Sequence, residues 1–184
     1  RRRHTRFKCD WSSDVCSSDL DPYRIWVSEI MLQQTRVEAV IPYYRNFLRQ
    51  FPSAPALARA PEERVMAAWS GLGYYSRARN MQRAARAIVE QHAGEFPREE
   101  QAALALPGVG RYTAAAVLSI AYGLPLAVLD GNVARVLSRL LTLPADVRDT
   151  RGKQQLWECA ASLLDPRRPG DFNQAMMELG ATVC

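Results

Sequence analysis

Leu106-Pro107-Gly108-Val109-Gly110-Arg111-Tyr112-Thr113-Ala114, with Asp130-Gly131-Asn132-Val133 beginning eighteen residues past Tyr112, is the stretch that decides the fold. Helical patterns flank the two-glycine turn, so it reads as helix-hairpin-helix. Gly108 and Gly110 allow backbone angles closed to other residues and carry no side chain to hold a phosphate off. The N–H groups at the head of the next helix add donors and a partial positive charge. Leu106, Gly108, Val109, Gly110 and Arg111 are therefore candidate contacts to a nucleic-acid backbone, gripping it without reading bases. A plain interhelical turn is the alternative. Asp130 opens the following helix, either as its cap or as a carboxylate able to act on whatever the turn holds.

Outward from this turn the chain is helical from Asp21 onward. Asp21-Pro22 is an N-cap with proline at the first helical position. Thr35-Arg36-Val37-Glu38 has the spacing of a capping box opening a helix towards Phe51. The apolar face of that helix is Val37, Val40, Ile41, Tyr44, Phe47, Leu48 and Phe51, with Pro42 as a kink or early turn. Further helices are expected over Ala54–Ala60, Pro61–Trp69, Ser76–Gln91, Arg98–Ala105, Tyr112–Tyr122, Asn132–Leu141, Thr150–Leu164 and Asp171–Leu179. No stretch alternates over the length of a strand, so the class is all-α with short connections.

The 184 residues are 48% hydrophobic, enough for a sizeable core. The net charge of +5 is compatible with a polyanionic partner without requiring one. No apolar run approaches the ~20 residues of a membrane span. Four cysteines in a chain of this length do not form a secreted disulfide scaffold, so a reducing cytoplasm is expected. Residues 1–20 stand apart. They lack periodicity, contain the near-repeat Ser12-Ser13-Asp14-Val15-Cys16 and Ser17-Ser18-Asp19-Leu20, and resemble a translated sequencing adapter rather than native protein. They are expected to be disordered, and residues 21–184 to form the domain. That segment holds five Lys/Arg against three Asp/Glu, so the remainder carries only +3.

A pair of carboxylates, one protonated and one ionised, suits an acid-assisted bond cleavage beside a developing positive charge. Glu29 lies in an apolar helical context, with Ile25 four residues before it and Leu32 three after. Desolvation on that face would raise its pKa towards the range of a general acid. The alternative is a solvated helix glutamate.

Four motifs in order point further. They are Leu106–Ala114 with Asp130, then Trp26-Val27-Ser28-Glu29-Ile30-Met31-Leu32-Gln33-Gln34-Thr35, Gly71-Leu72-Gly73-Tyr74-Tyr75-Ser76-Arg77-Ala78-Arg79-Asn80 and Phe172–Ala181. Together they resemble the helix-hairpin-helix DNA glycosylases and, within them, the MutY-type adenine DNA glycosylases. The similarity extends over essentially all of 21–184. It implies two interlocked helical subdomains with the active site in the cleft between them. It implies that Glu29 protonates the departing adenine, that Asp130 stabilises the oxocarbenium ion, and that Tyr112 assists a retaining, base-only removal. Asn132 would support them by hydrogen bonding. Endonuclease III-like relatives carry a lysine where this chain has Tyr112, and a tyrosine cannot form a Schiff base. Gln34 and Tyr74 match residues that insert into the DNA stack around a flipped base. Leu32 and Gln174 are candidate pocket residues. Of Arg77, Arg79, Arg83 and Arg86, one or two are expected on phosphate, Arg77 foremost.

The resemblance also implies a [4Fe-4S] cluster on four cysteines, of which Cys184 matches the first. A single thiolate cannot hold it, so the chain as given is expected to lack the cluster and the complete protein to carry it. A C-terminal domain recognising 8-oxoguanine is expected to be missing as well. The implied partner is double-stranded DNA with adenine mispaired with 8-oxoguanine or guanine, met by a monomer at a bacterial nucleoid. Two other readings remain open. One is an endonuclease III-like glycosylase/lyase for oxidised pyrimidines. The other is a helix-hairpin-helix module that binds DNA without turnover, which is also the expected behaviour of this chain by itself.

Overall fold

The computed structural model describes residues 21–142 and 149–184, so the reading of residues 1–20 lies outside the described part. The described residues form helices and connections, with no strand among them. The helices are α1 (Pro22–Leu32), α2 (Val37–Gln50), α3 (Ala54–Arg59), α4 (Glu62–Trp69), α5 (Ser76–Gln91), α6 (Glu100–Leu104), α7 (Arg111–Tyr122), α8 (Gly131–Leu140), α9 (Thr150–Leu163) and α10 (Pro169–Thr182). The all-α expectation holds.

Side-chain caps start four of the ten described helices, α1, α3, α8 and α9. Asp21 caps α1 by accepting from the Tyr23 N–H at 2.9 Å, and Asp149 caps α9 by accepting from the Gly152 N–H at 3.2 Å. The capping box expected at Thr35 does not form. Arg36 occupies the N-cap of α2 without a side-chain bond, and the Thr35 hydroxyl donates to the Gln33 carbonyl at 3.3 Å. The turn leaving α1 claims that hydroxyl first. Pro42 lies inside α2 without ending it. It sits at an exposed position in the second turn, where its missing N–H does not end the helix.

Two apolar cores share one helix. The first gathers α1 to α5 and one face of α7, through Trp26, Met31, Phe47, Trp69, Met81, Val117 and Leu118. The second lies among α7, α8 and α9 through Ala115, Ala116, Leu137, Leu156 and Trp157, with Met176 and Met177 of α10 packed on it. The run Ala114-Ala115-Ala116 makes this sharing possible, since small side chains let neighbours approach α7 from both sides. Buried Asn173 ties the joint, donating to Ser119 Oγ at 2.9 Å and the Leu126 carbonyl at 2.8 Å. It also accepts from the Val128 N–H at 3.2 Å. The segment between α7 and α8 is thereby hydrogen-bonded to α10, and α10 to α7.

Candidate active site

α1 is apolar around most of its circumference, with Tyr23, Ile25, Trp26, Val27, Ile30 and Met31 all buried. The remaining side, carrying Ser28, Glu29 and Leu32, is half-buried and lies where α1 crosses α7. Tyr112, in the first turn of α7, donates its phenol to Glu29 Oε2 at 2.8 Å. Its oxygen is also 3.3 Å from the sulfur of Met177 on α10. Glu29 thus comes from the helix of the first core, Tyr112 and Met177 from the rim of the second, and the site occupies the seam. Met177 gave no signal in the sequence beyond its place in the Phe172–Ala181 motif.

Burial pushes the Glu29 carboxyl up to about 7, with the nearby Asp130 charge adding to the rise and the Tyr112 hydrogen bond opposing it. The phenol of Tyr112 is raised as well, by burial first and then by the charge of Glu29. A carboxyl that titrates near neutrality beside a neutral phenol can hold a proton and release it.

Asp130 caps α8, one of the two parts expected of it, and its charge lies near Glu29. One oxygen accepts from the Val133 N–H at 2.8 Å and caps α8, and the other accepts from Asn132 Nδ2 at 2.9 Å. Arg135, which the sequence reading passed over, donates to Asn132 Oδ1 at 2.8 Å and to the Gly180 carbonyl at 2.6 Å. One turn along α8, Arg139 donates to the Cys184 carbonyl at 2.6 Å and lies 3.1 Å from its sulfur.

The turn before α7 differs in part from its sequence reading. Leu106 and Val109 are buried, so their side chains anchor the turn in the first core rather than face a ligand. Their apolar character decides this, and only their backbone is left for outside contact. Gly108 has φ +76°, and a Cβ there would sit 2.7 Å from Asn80 Cβ of α5. Gly110 is exposed at the N-cap of α7 and offers no side chain to cap it, which leaves N–H donors of the first turn to outside acceptors. Arg111 is exposed, with its guanidinium 4.0 Å from the Trp157 ring centroid on α9.

Arg77 is the clearest correction. Expected on phosphate, it points into the protein and donates to carbonyls at the end of α1 and in the turn before α5. Those carbonyls are closer and fixed, and burial lowers the pKa of the guanidinium. Gln34 and Tyr74 are exposed, with φ of 59° and 47°, a conformation that costs of order 1 kcal/mol or more for a residue with a side chain. Gln174 is exposed on α10 with its amide turned back to the Gly170 carbonyl at 3.3 Å, and its described hydrogen bond does not reach Glu29 or Asp130. Leu32 is half-buried against the first core, one turn beyond Glu29.

Residues 27–161 match the profile of the HhH-GPD superfamily base excision DNA repair proteins. The chain is 53% identical to the adenine DNA glycosylase of Homo sapiens over 94% of its own length and 32% of that protein. Against the adenine DNA glycosylase of Schizosaccharomyces pombe it is 47% identical, over 88% of this chain and 36% of that one. The chain thus spans about a third of the length of these curated relatives. Among solved structures it resembles a thermostable thymine-DNA glycosylase, with TM-score 0.78 and 30% identity, covering 89% of this chain and 76% of that one. A trapped endonuclease III–DNA covalent intermediate superposes with TM-score 0.77 at 23% identity over 86% of this chain and 73% of that one, a likeness of fold.

Proposed function

The chain belongs to the HhH-GPD superfamily of base excision DNA repair proteins, and from that premise we propose that residues 21–184 are the catalytic unit of an adenine DNA glycosylase. Its substrate is double-stranded DNA in which adenine is mispaired with 8-oxoguanine or guanine. The observation that carries the reading is the 2.8 Å bond between Tyr112 and a Glu29 carboxyl raised to about 7.

An adenine inside a duplex is out of reach and has to leave the stack, with Gln34 and Tyr74 taking up the space it vacates. The exposed backbone at Gly108 and Gly110 and the head of α7 hold the phosphates. Glu29, protonated, gives its proton to the adenine ring as the glycosidic bond breaks, and the bonding electron pair leaves with the base. The Asp130 carboxylate, oriented by Asn132, faces the cationic sugar carbon. Water adds to that carbon, and the proton it loses restores Glu29. Tyr112 has no amine with which to attack the sugar, so the strand stays intact.

A [4Fe-4S] cluster needs three more thiolates beside Cys184. Cys159 lies on α9 against the second core. No three His, Cys, Asp or Glu side chains gather to hold a metal among the described residues. The described residues thus supply one of the four thiolates that such a cluster needs.

The test is Glu29→Gln in the protein that carries this chain at the full length of its relatives. Binding to an adenine–8-oxoguanine duplex is expected to persist while adenine release falls by about 100-fold or more. Unchanged release overturns the role of Glu29, and a borohydride-trapped DNA adduct overturns the base-only mechanism.

A further inference from the structure

We propose that Arg77 is a positioning residue that holds Gln34 and Tyr74 as one paired wedge. The inference rests on the reading of the chain as a base-flipping glycosylase. Gln34 follows α1 and Tyr74 precedes α5, forty residues apart in sequence. Both are exposed, and both keep a left-handed backbone that a residue with a side chain does not hold unaided. One guanidinium ties down the backbone next to each of them. Nη1 donates to the carbonyls of Ile30 at 2.8 Å, Met31 at 3.2 Å and Gln33. Nη2 donates to Thr35 Oγ1 at 3.3 Å, the Leu72 carbonyl at 3.3 Å and the Gly73 carbonyl at 3.5 Å. The Gln33 and Gly73 carbonyls belong to the residues immediately before the two wedge residues.

The guanidinium carbon also lies 5.5 Å from the Tyr74 ring centroid and 5.4 Å from that of Trp69, whose Nε1 donates to the Gly73 carbonyl at 3.0 Å. The cation thus neutralises the negative end of α1 and fixes the turn before α5 in the same act. Lysine, a point charge with three donors, cannot span both sets of acceptors.

The experiment compares Arg77→Gln and Arg77→Lys with the unaltered full-length protein. It measures binding to an adenine-mispaired duplex and to a perfectly paired duplex, each over a range of salt. 2-Aminopurine fluorescence beside the mispair reports unstacking independently of adenine release. Preference for the mispair and the fluorescence gain are expected to fall together, the preference by about tenfold, comparable to one lost base–aromatic stack. Binding to the paired duplex and its salt slope are expected to stay unchanged. An equal loss on both duplexes would assign Arg77 a role in folding alone, and a shallower salt slope would put it back on phosphate; either overturns the proposal. If Arg77→Gln fails to fold, Arg77→Lys, which retains a cation, carries the same comparison. Absence of 2-aminopurine fluorescence gain in the unaltered protein would overturn the base-flipping reading itself, whereas an unaltered protein that unstacks the mispair no better than Arg77→Lys overturns the positioning role.

Discussion

Glu29 is where opposing effects on one residue decide the chemistry. Burial raises its carboxyl to about 7 although the Tyr112 phenol, by donating to the charged form, pulls the other way. Removing that donor in Tyr112→Phe is therefore expected to raise the carboxyl further. The alkaline limb of single-turnover adenine release should move to higher pH, and a limb that stayed or moved down would contradict the assignment. The same shift bears on stability. Glu29 binds its proton more tightly folded than at its ordinary value of 4.5, so its contribution is fully present below 4.5 and is lost as pH rises through about 7. Glu29→Gln is thus expected to stabilise the fold at about pH 8 by of order 1–2 kcal/mol, after discounting for partial solvent access. It should do much less at about pH 4.5, as urea unfolding at the two values would show. The apolar neighbours of Glu29 along α1 are legible in the sequence and predict a raised pKa. The sequence could not show that the Tyr112 phenol, 83 residues away, would donate to that carboxyl.

At the scale of elements, α10 explains how the second core closes on the site. A Cβ at Gly180 would stand 2.7 Å from Asn132 Cβ and 2.7 Å from the Asn132 carbonyl oxygen, so the helix touches α8 backbone at the residue that orients Asp130. Gly180→Ala is expected to cost about 1–3 kcal/mol and to slow adenine release, because α10 or the Asp130–Asn132 pair has to shift. Gly123→Ala is the control. It meets nothing within 4 Å but sits at φ +67° as the C-cap of α7. It should cost about 1 kcal/mol through strain and leave the rate unchanged. Thermal melts and single-turnover kinetics on both variants would check this contrast. Gly123 was legible as a helix stop from its position after Tyr122. The tight contact at Gly180 was not, because nothing local distinguishes a glycine inside α10 that meets another helix from one that meets solvent.

For the whole molecule, the shared helix α7 makes the two cores interdependent. Trp26 and Trp69 report on the first core and Trp157 on the second. Urea unfolding followed by fluorescence in variants that retain one or the other reporter is expected to give coincident transitions, and separated midpoints would show that the lobes unfold independently. Asn173→Ala should lower the unfolding free energy by about 2–3 kcal/mol and move that common midpoint to lower urea, since it orphans the buried Val128 N–H and loses the bonds to Ser119 and Leu126. By itself the sequence determined what depends on neighbours along the chain. Helical periods, the caps at Asp21 and Asp130 and the glycine turn all follow from interactions within a few residues. Only the tertiary structure decided which faces meet. It joined Glu29 to Tyr112 across the seam, turned Arg77 inward, buried Leu106 and Val109, and diverted the Thr35 hydroxyl from its expected cap. The reason is physical. A side chain's final partner is set by competition among all acceptors and cavities the packed helices bring near it, and that set does not exist until they pack.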